Sequence, residues 1–207
     1  MGDIVPNFQC TTTAGPLEFF SWAEGSWTFL FNQPFTGGTV GTTEMAAFSM
    51  AREELQACNA QLLGVSADNL QTQTEWARQI KRDFDRDIWF PMAFDENSQI
   101  SELFGMTHWR GTQADAVRKM FLIDPSLKVK LIIEYPINMG RSLPEMLRAL
   151  EAEQLHQATG LNTPCDWQSG DAAMVPVHLD EAEVQSRYGG RMRELLRGFR
   201  FVRTDNL

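Results

Sequence analysis

The chain has 207 residues, of which 43% are apolar, enough to bury one main core with a small appendage. Its 27 acidic residues outnumber its 18 lysines and arginines and give a formal net charge of -9. Nucleic acids and anionic membranes bind clusters of basic residues, so this balance argues against both as partners. No segment reaches the roughly 20 apolar residues of a transmembrane helix, and the N-terminus has no basic region followed by an apolar one. We therefore expect a cytoplasmic protein.

The three cysteines, Cys10, Cys58 and Cys165, form no CxxC pair and have no pair of histidines nearby. An odd number without such spacing predicts neither a disulfide framework nor a zinc site. We interpret all three as inert thiols, buried or half-buried, because free cysteine behaves as a small apolar residue. The sequence predicts no metal and no other cofactor.

Short apolar runs alternate with helical periodicity through most of the chain. In chain order we predict strand 27–31, helix 44–58, strand 62–66, helices 70–86 and 98–105, strands 119–123 and 129–135, and helix 143–156. Gly160 closes the last helix. This order predicts an α/β layered sheet with helices on both faces, which is also the thioredoxin-like order.

A different texture begins at Asn162, where short mixed segments and a basic tail punctuated by glycine replace the alternation. The tail is poor in periodic apolar residues, so we expect that it cannot fold alone and packs on another surface. We predict a main domain, residues 1–160, followed by an extension, residues 161–207.

The most informative segment lies between the first predicted strand and the first helix, and its sequence at 34–44 is PFTGGTVGTTE. It resembles the strand-to-helix turn of the peroxiredoxins, the AhpC/TSA family, with the signature Pro, three residues, Thr, two residues, Cys, often followed by Thr-Thr-Glu. Pro34 and Thr42-Thr43-Glu44 match this register. Gly38 then takes the place of the threonine, and Gly41 that of the peroxidatic cysteine.

A second motif is similar to the C-terminal extension of one-cysteine peroxiredoxins: Thr-Pro-Cys-Asp-Trp at 163–167, followed by Gly170-Asp171. Further matches lie along the chain, namely Val65–Asp68, Phe90–Met92, Asp95, Gly105-Met106, Arg118, Tyr135-Pro136 and Gly140-Arg141. The resemblance covers nearly the whole chain. It implies a thioredoxin-like fold and a homodimer, in which residues 161–207 reach across to the partner subunit.

In working members of that subfamily, the helix N-terminus and an arginine lower the cysteine pKa, and peroxide oxidises the thiolate to a sulfenic acid. Arg118 matches this arginine, but Gly41 has no side chain that could accept the oxygen. Gln33 stands where one-cysteine members usually carry a histidine, and Gly38 removes the hydroxyl that orients the peroxide. The resemblance therefore implies a peroxidase scaffold without thiol peroxidase activity.

Two functions stay open for such a chain. In the first, the helix N-terminus and Arg118 form a site for an anion or a polarised oxygen, enlarged by the loss of two side chains. Arg118 and Glu44 would then be catalytic in a cysteine-independent isomerisation, elimination or addition on a small oxygenated metabolite. The substrate-binding residues would be Pro34, Gly38, Thr39, Val40, Gly41, Thr42, His108, Trp109 and Arg141.

In the second, the charged residues only hold strands to the helix, because removing one member of a buried pair is costly even after its function is lost. The protein is then a pseudoenzyme that binds a ligand or a partner without catalysis. His108, on a predicted polar loop at the pocket rim, is either a general base or a solvated loop histidine.

Overall fold

The computed structural model describes residues 1–106, 117–196 and 199–204. It divides into two compact units, unit 1 (Met1–Leu143) and unit 2 (Pro144–Leu207). Among the described residues, each unit has its own sheet, of seven strands in unit 1 and of three in unit 2. Over these described ranges, no helix is both long and apolar enough to span a membrane.

Unit 1 alternates strands and helices. In chain order its elements are β1 (Gln9–Thr12), β2 (Gly15–Glu18), α1 (Phe19–Ala23), β3 (Trp27–Asn32), α2 (Thr39–Met50), α3 (Arg52–Ala57), β4 (Ala60–Ser66), α4 (Leu70–Phe84), β5 (Met92–Phe94), α5 (Gln99–Leu103), β6 (Val117–Ile123) and β7 (Val129–Pro136). The strand order across the sheet is β2-β1-β5-β4-β3-β6-β7. Strands β3, β4 and β5 pair in parallel, whereas β6 and β7 extend the sheet antiparallel on one side and β1 on the other.

Strand β3 lies inside this sheet, and all six of its residues are buried. Successive side chains of a strand point to opposite faces. Leu30 accordingly belongs to the cluster that contains Phe19 of α1, whereas the ring of Phe31 lies 5.3 Å from that of Phe48 in α2. Helices therefore cover both faces, which explains the unbroken apolar run and confirms the predicted α/β architecture. Asn32 ends this strand and leads into the turn before α2.

The predicted strands and helices of unit 1 are confirmed, with one correction. The helix predicted over 44–58 begins at Thr39 and is interrupted at Ala51, where α2 ends and α3 follows. Glycine and β-branched residues are poor helix formers, so the first turn of α2 does not read as helix. The shortest elements of unit 1 were not predicted, because they are too brief to show a period: β1, β2, α1 and β5.

Unit 2 begins within helix α6 (Leu143–Thr159) and continues with β8 (Ala173–Met174), α7 (Glu181–Tyr188), β9 (Met192–Leu196) and β10 (Phe199–Val202). Strand β10 pairs antiparallel with both β8 and β9. The unit has a core of its own, made of Leu161, Ala173, Val175, Leu179, Val184, Tyr188 and Val202.

The tail was expected not to fold alone because it is poor in periodic apolar residues; the structure shows that it nevertheless has a buried apolar cluster, whose residues follow no regular period. Whether the tail packs on another surface stays a prediction. The compact units also separate after Leu143, the first residue of α6, whereas the predicted domain boundary lies at 160. Dimerisation through residues 161–207 stays a prediction.

Candidate functional site at the N-terminus of α2

The turn between β3 and α2 places Gly41 in the first turn of the helix. Gly38 precedes the helix in an extended conformation, with φ -66° and ψ 138°. Its carbonyl accepts hydrogen bonds from the backbone N–H of Thr42 at 2.8 Å and from the Thr42 hydroxyl at 2.9 Å. The carboxylate of Asp68, just after β4, accepts the backbone N–H of Thr36 at 2.6 Å and fixes the turn. The position that the predicted register aligns with the family's cysteine thus lies at a helix N-terminus.

The side chain of Gln33 fills the space next to Gly41. A Cβ atom at residue 41 would lie 2.6 Å from Gln33 Nε2 and 3.0 Å from its Cδ, closer than real Cβ contacts. Gln33 is only 1% exposed, and its Oε1 accepts a hydrogen bond from Arg118 Nη1 at 3.0 Å. Its Nε2 has no hydrogen-bond partner among the described residues. A side chain at position 41 would therefore displace a buried and partly anchored amide.

The ring of Phe35 fills the space next to Gly38. A Cβ atom there would overlap this ring, whose Cδ2 would lie 3.0 Å away. The expectation that two missing side chains enlarge the pocket is wrong, because neighbouring side chains occupy both spaces. Gly38 and Gly41 are thus matched to Phe35 and Gln33.

A buried carboxylate lies between two guanidinium groups beside Gln33. Glu44 Oε2 is 2.8 Å from both Arg118 Nη1 and Arg141 Nη2. Glu44 Oε1 accepts the backbone N–H of Arg141 at 2.7 Å and its Nε–H at 2.8 Å. The three side chains are at most 3% exposed. Both carboxylate oxygens are therefore paired within the protein.

The remaining donors of the two arginines tie together the strand ends around this cluster. Arg118 Nε donates to the carbonyl of Ile137 at 2.8 Å, and Arg141 Nη1 donates to the carbonyl of Asn32 at 3.0 Å. Burial lowers the pKa of the Arg118 guanidinium; Glu44 raises it and the charge of Arg141 lowers it further. Arginine nevertheless stays charged in proteins, so the three side chains carry one net positive charge.

The structure brings together Glu44, Arg118 and Arg141 from the predicted site. Gln33 lies between this cluster and Gly41, because it accepts a hydrogen bond from Arg118 and packs against Gly41. The other predicted binding residues within the described part lie on the turn and the first helical turn: Pro34, Gly38, Thr39, Val40 and Thr42. The Thr42 hydroxyl also accepts the indole N–H of Trp76 at 3.1 Å. His108 and Trp109 lie outside the described residues.

Sequence reasoning missed three residues that shape this site. Phe35 and Trp76 contact the turn from positions that no motif marks. Buried Asn32 ends β3, where its Nδ2 donates to the carbonyl of Val117 at 2.8 Å and its Oδ1 accepts the N–H of Lys119 at 2.7 Å. A polar residue at the end of an apolar strand was the only signal available for it.

None of the three cysteines lies in the first turn of α2. Cys10 is in β1, Cys58 follows α3, and both are half-buried; Cys165 is exposed, so its predicted burial was wrong. Burial, with a smaller contribution from the charge of Asp95, raises the pKa of the Cys10 thiol to about 11. No group of three or more potential metal-binding side chains occurs within the part of the chain that the structure describes.

Comparison with known proteins identifies the scaffold. The profile of the AhpC/TSA family matches residues 1–132, and that of the C-terminal domain of 1-Cys peroxiredoxin matches residues 152–191. A peroxiredoxin of Archaeoglobus fulgidus is 33% identical over 192 residues, which cover 90% of this chain and 88% of the relative. A mitochondrial peroxiredoxin of Saccharomyces cerevisiae is 31% identical over 206 residues, or 96% and 78% of the two chains.

Solved structures agree with these matches. The yeast mitochondrial 1-Cys peroxiredoxin superposes with a TM-score of 0.91 at 29% identity and covers 99% of both chains. A cysteine-to-serine mutant of peroxiredoxin 6 of Arenicola marina gives a TM-score of 0.90 at 28% identity, covering 100% of this chain and 99% of the other. The expected peroxiredoxin scaffold with its thioredoxin-like fold is thereby confirmed, and the chain belongs to the AhpC/TSA peroxiredoxin family.

Proposed function

We propose that this member of the peroxiredoxin family has no thiol peroxidase activity and acts by binding rather than by catalysis. The observation that carries the proposal is the packing of Gln33 against Gly41 at the N-terminus of α2. Thiol peroxidases reduce peroxide when a thiolate attacks one oxygen, forms a sulfur–oxygen bond and releases the other oxygen as hydroxide or water. Neither a glycine nor a carboxamide can carry out this step.

The three cysteines present do not replace the missing nucleophile. A reactive thiolate needs a lowered pKa, which a helix N-terminus or nearby cations provide. The raised pKa of Cys10 has the opposite effect, since nearly all of the thiol stays protonated at neutral pH. Cys58 follows the C-terminal end of α3, and Cys165 is in unit 2.

The burial and pairing of Glu44 and Arg118 argue against repurposed catalysis. A general base or acid must come within hydrogen-bond reach of its substrate. Glu44 is 3% exposed, and both of its oxygens are already bonded to arginine donors. Arg118 is 2% exposed and spends Nε and Nη1 on Ile137, Gln33 and Glu44. Such a cluster supports a structural role, joining β6 and the segment after β7 to α2.

One observation favours the second candidate, a pocket repurposed for a small oxygenated metabolite. Gln33 Nε2 is a buried donor without a partner among the described residues, next to a cluster with one net positive charge. An anion or carbonyl oxygen that moved this amide aside would meet Arg118 and the first amides of α2. Arg118 and Glu44 would then be the candidate catalytic pair. The candidate binding residues would be Pro34, Gly38, Thr39, Val40, Gly41, Thr42, Arg141, His108 and Trp109.

We further propose a homodimer in which residues 161–207 form the dimerisation extension. Unit 2 presents apolar side chains to solvent, with Val177 88% and Phe199 47% exposed. Apolar groups at a protein surface are candidates for a buried interface. The compartment is part of the proposal as well: we propose a cytoplasmic protein, although one relative is named as mitochondrial.

Peroxide turnover tests the main proposal. We expect wild-type protein and a triple variant with Cys10→Ser, Cys58→Ser and Cys165→Ser to consume hydrogen peroxide at the same background rate, with dithiothreitol as reductant. Rapid turnover by the wild type that the triple variant lacks would overturn it, and single variants would then identify the thiol. Rapid turnover shared by both proteins would also overturn the proposal, because it would show catalysis without a cysteine, and Arg118→Met would then test whether it occurs at this site.

A further inference from the structure

A small apolar cavity lies apart from the residues assigned above, on the side of α4 that faces the sheet. Its volume is about 190 Å³. Its walls include Met45 of α2, Trp76 and Ile80 of α4, and Phe90 and Met92 at the start of β5. All five side chains are at most 5% exposed. The exposed turn Thr13-Ala14 forms part of the wall and gives the cavity a side that reaches the surface.

Besides the threonines Thr13 and Thr74, the cavity wall contains one buried amide. Gln73 lies on the buried face of α4 together with Trp76 and Ile80, at a helical position where an apolar residue would be expected. It is 2% exposed. Its Nε2 donates to the carbonyl of Asp68 at 2.6 Å and to that of Ala93 at 3.3 Å, which fixes the orientation of the amide.

The oxygen of the same amide has no hydrogen-bond partner among the described residues. The indole N–H groups in the wall are engaged elsewhere, because Trp76 Nε1 donates to the Thr42 hydroxyl and Trp89 Nε1 to the carbonyl of Ser49. The Thr74 hydroxyl donates to the carbonyl of Leu70 at 2.7 Å. A group that satisfies Gln73 Oε1 must therefore bring its own donor.

We propose that this cavity is a binding site for a small neutral molecule with an apolar body and one hydroxyl group, of the size and polarity of phenol. A cavity of about 150 Å³ lined by apolar side chains accommodates benzene, so 190 Å³ suits a ring with one substituent. The aromatic rings and methionines of the wall contact the ring, and Gln73 Oε1 accepts the hydroxyl proton. A charged ligand is excluded, since the cavity wall contains no lysine, arginine, aspartate or glutamate.

Phenol and toluene are the matched probes, because they have nearly the same size and only phenol carries a donor. We expect phenol to bind the full-length protein with a dissociation constant on the order of 1 mM or below. Toluene should bind about three- to tenfold more weakly, the factor that a neutral hydrogen bond provides. Labelled methionine methyl groups locate the site: phenol should shift the NMR signals of Met45 and Met92 but leave that of Met174 in unit 2 unchanged.

Three variants make the test specific. Gln73→Leu should weaken phenol binding about three- to tenfold without weakening toluene binding. Gln79→Leu, the same substitution at an exposed position of α4, should change neither affinity. Ala77→Leu should abolish binding of both probes by filling the cavity, which keeps the test decisive if Gln73→Leu does not fold.

Two results would overturn the proposal. One is the absence of shifts at Met45 and Met92 at phenol concentrations tenfold above the expected dissociation constant. The other is equal affinity for phenol and toluene, unchanged in Gln73→Leu, since the amide oxygen would then contribute nothing.

Discussion

The packing of Gln33 against Gly41 predicts strong energetic coupling between the two positions. An alanine Cβ at position 41 would start 2.6 Å from Gln33 Nε2, and ordinary contact begins at 3.4 Å, so the amide must move by 0.8 Å (3.4 minus 2.6). Overpacking of this kind costs about 1–3 kcal/mol. The movement also strains the hydrogen bond to Arg118, which as a bond to a charged group is worth about 1.5–3 kcal/mol. Replacing glycine by alanine in a helix stabilises the folded protein by at most about 1 kcal/mol.

We therefore expect Gly41→Ala to lower the free energy of unfolding by about 1–3 kcal/mol in the wild-type background. In a Gln33→Ala background the clash is absent, so the same change should be neutral or stabilising by up to about 1 kcal/mol. The double-mutant cycle should then show a coupling of about 1–4 kcal/mol. Urea unfolding followed by circular dichroism measures all four proteins, provided that the denaturant slope stays constant.

Gly140→Ala is the matched control, because a Cβ there would meet Val40 and Glu44 only at ordinary contact distances of 3.6 and 3.8 Å. It should change stability by less than about 0.5 kcal/mol and show no coupling to Gln33→Ala. Additivity of Gly41→Ala and Gln33→Ala to within about 0.5 kcal/mol would refute the reasoning.

Three further predictions concern the thiols, the charged cluster and the oligomer. Iodoacetamide at pH 7 should modify exposed Cys165 well before Cys10, and the rate at Cys10 should keep rising up to about pH 11 because its thiolate forms only there; mass spectrometry that finds Cys10 modified first would contradict this. Arg118→Met should cost about 3 kcal/mol or more by leaving Glu44 short of one partner, and an unfolding midpoint equal to that of the wild type would argue against a structural role. Val177→Asp should shift a dimer towards monomer in light scattering after gel filtration, whereas Gln185→Asp, at another exposed position of unit 2, should not; a dimer unaffected by Val177→Asp would remove this side chain from the interface.

The sequence predicted the architecture of unit 1 because its longer elements carry clear periods. The apolar run that becomes β3 and the polar face of α4 show in the letters alone. The start of α2 was not visible in the sequence, because Thr39, Val40 and Gly41 have low helix propensity. The helix begins there because of the turn that precedes it. The core of unit 2 was missed because its apolar residues are scattered over short strands and loops.

The sequence predicted which charged side chains form the candidate site, but not how much open space the site contains. Glu44, Arg118 and Arg141 could be grouped from the family resemblance, and the structure brings them together. Whether two glycines leave open space depends on the neighbouring side chains. Gln33 and Phe35 fill the space next to Gly41 and Gly38, and the spacing of residues in the sequence does not predict these side-chain orientations. The open volume at a site depends on how the folded chain packs. A comparison of sequences shows where this chain has a smaller residue than the family motif, but it does not show which neighbouring side chain fills the space.

The interlock of Gln33 with Gly41 also bears on how such a chain changes over generations. A larger residue at position 41 would be crowded while Gln33 is present, and a smaller residue at 33 beside Gly41 would leave a gap over Arg118. Each single substitution thus gives a less stable protein, and only the paired replacement keeps good packing. The packing of Gln33 therefore opposes the introduction of a thiol at position 41, and the two positions can change without loss of stability only together.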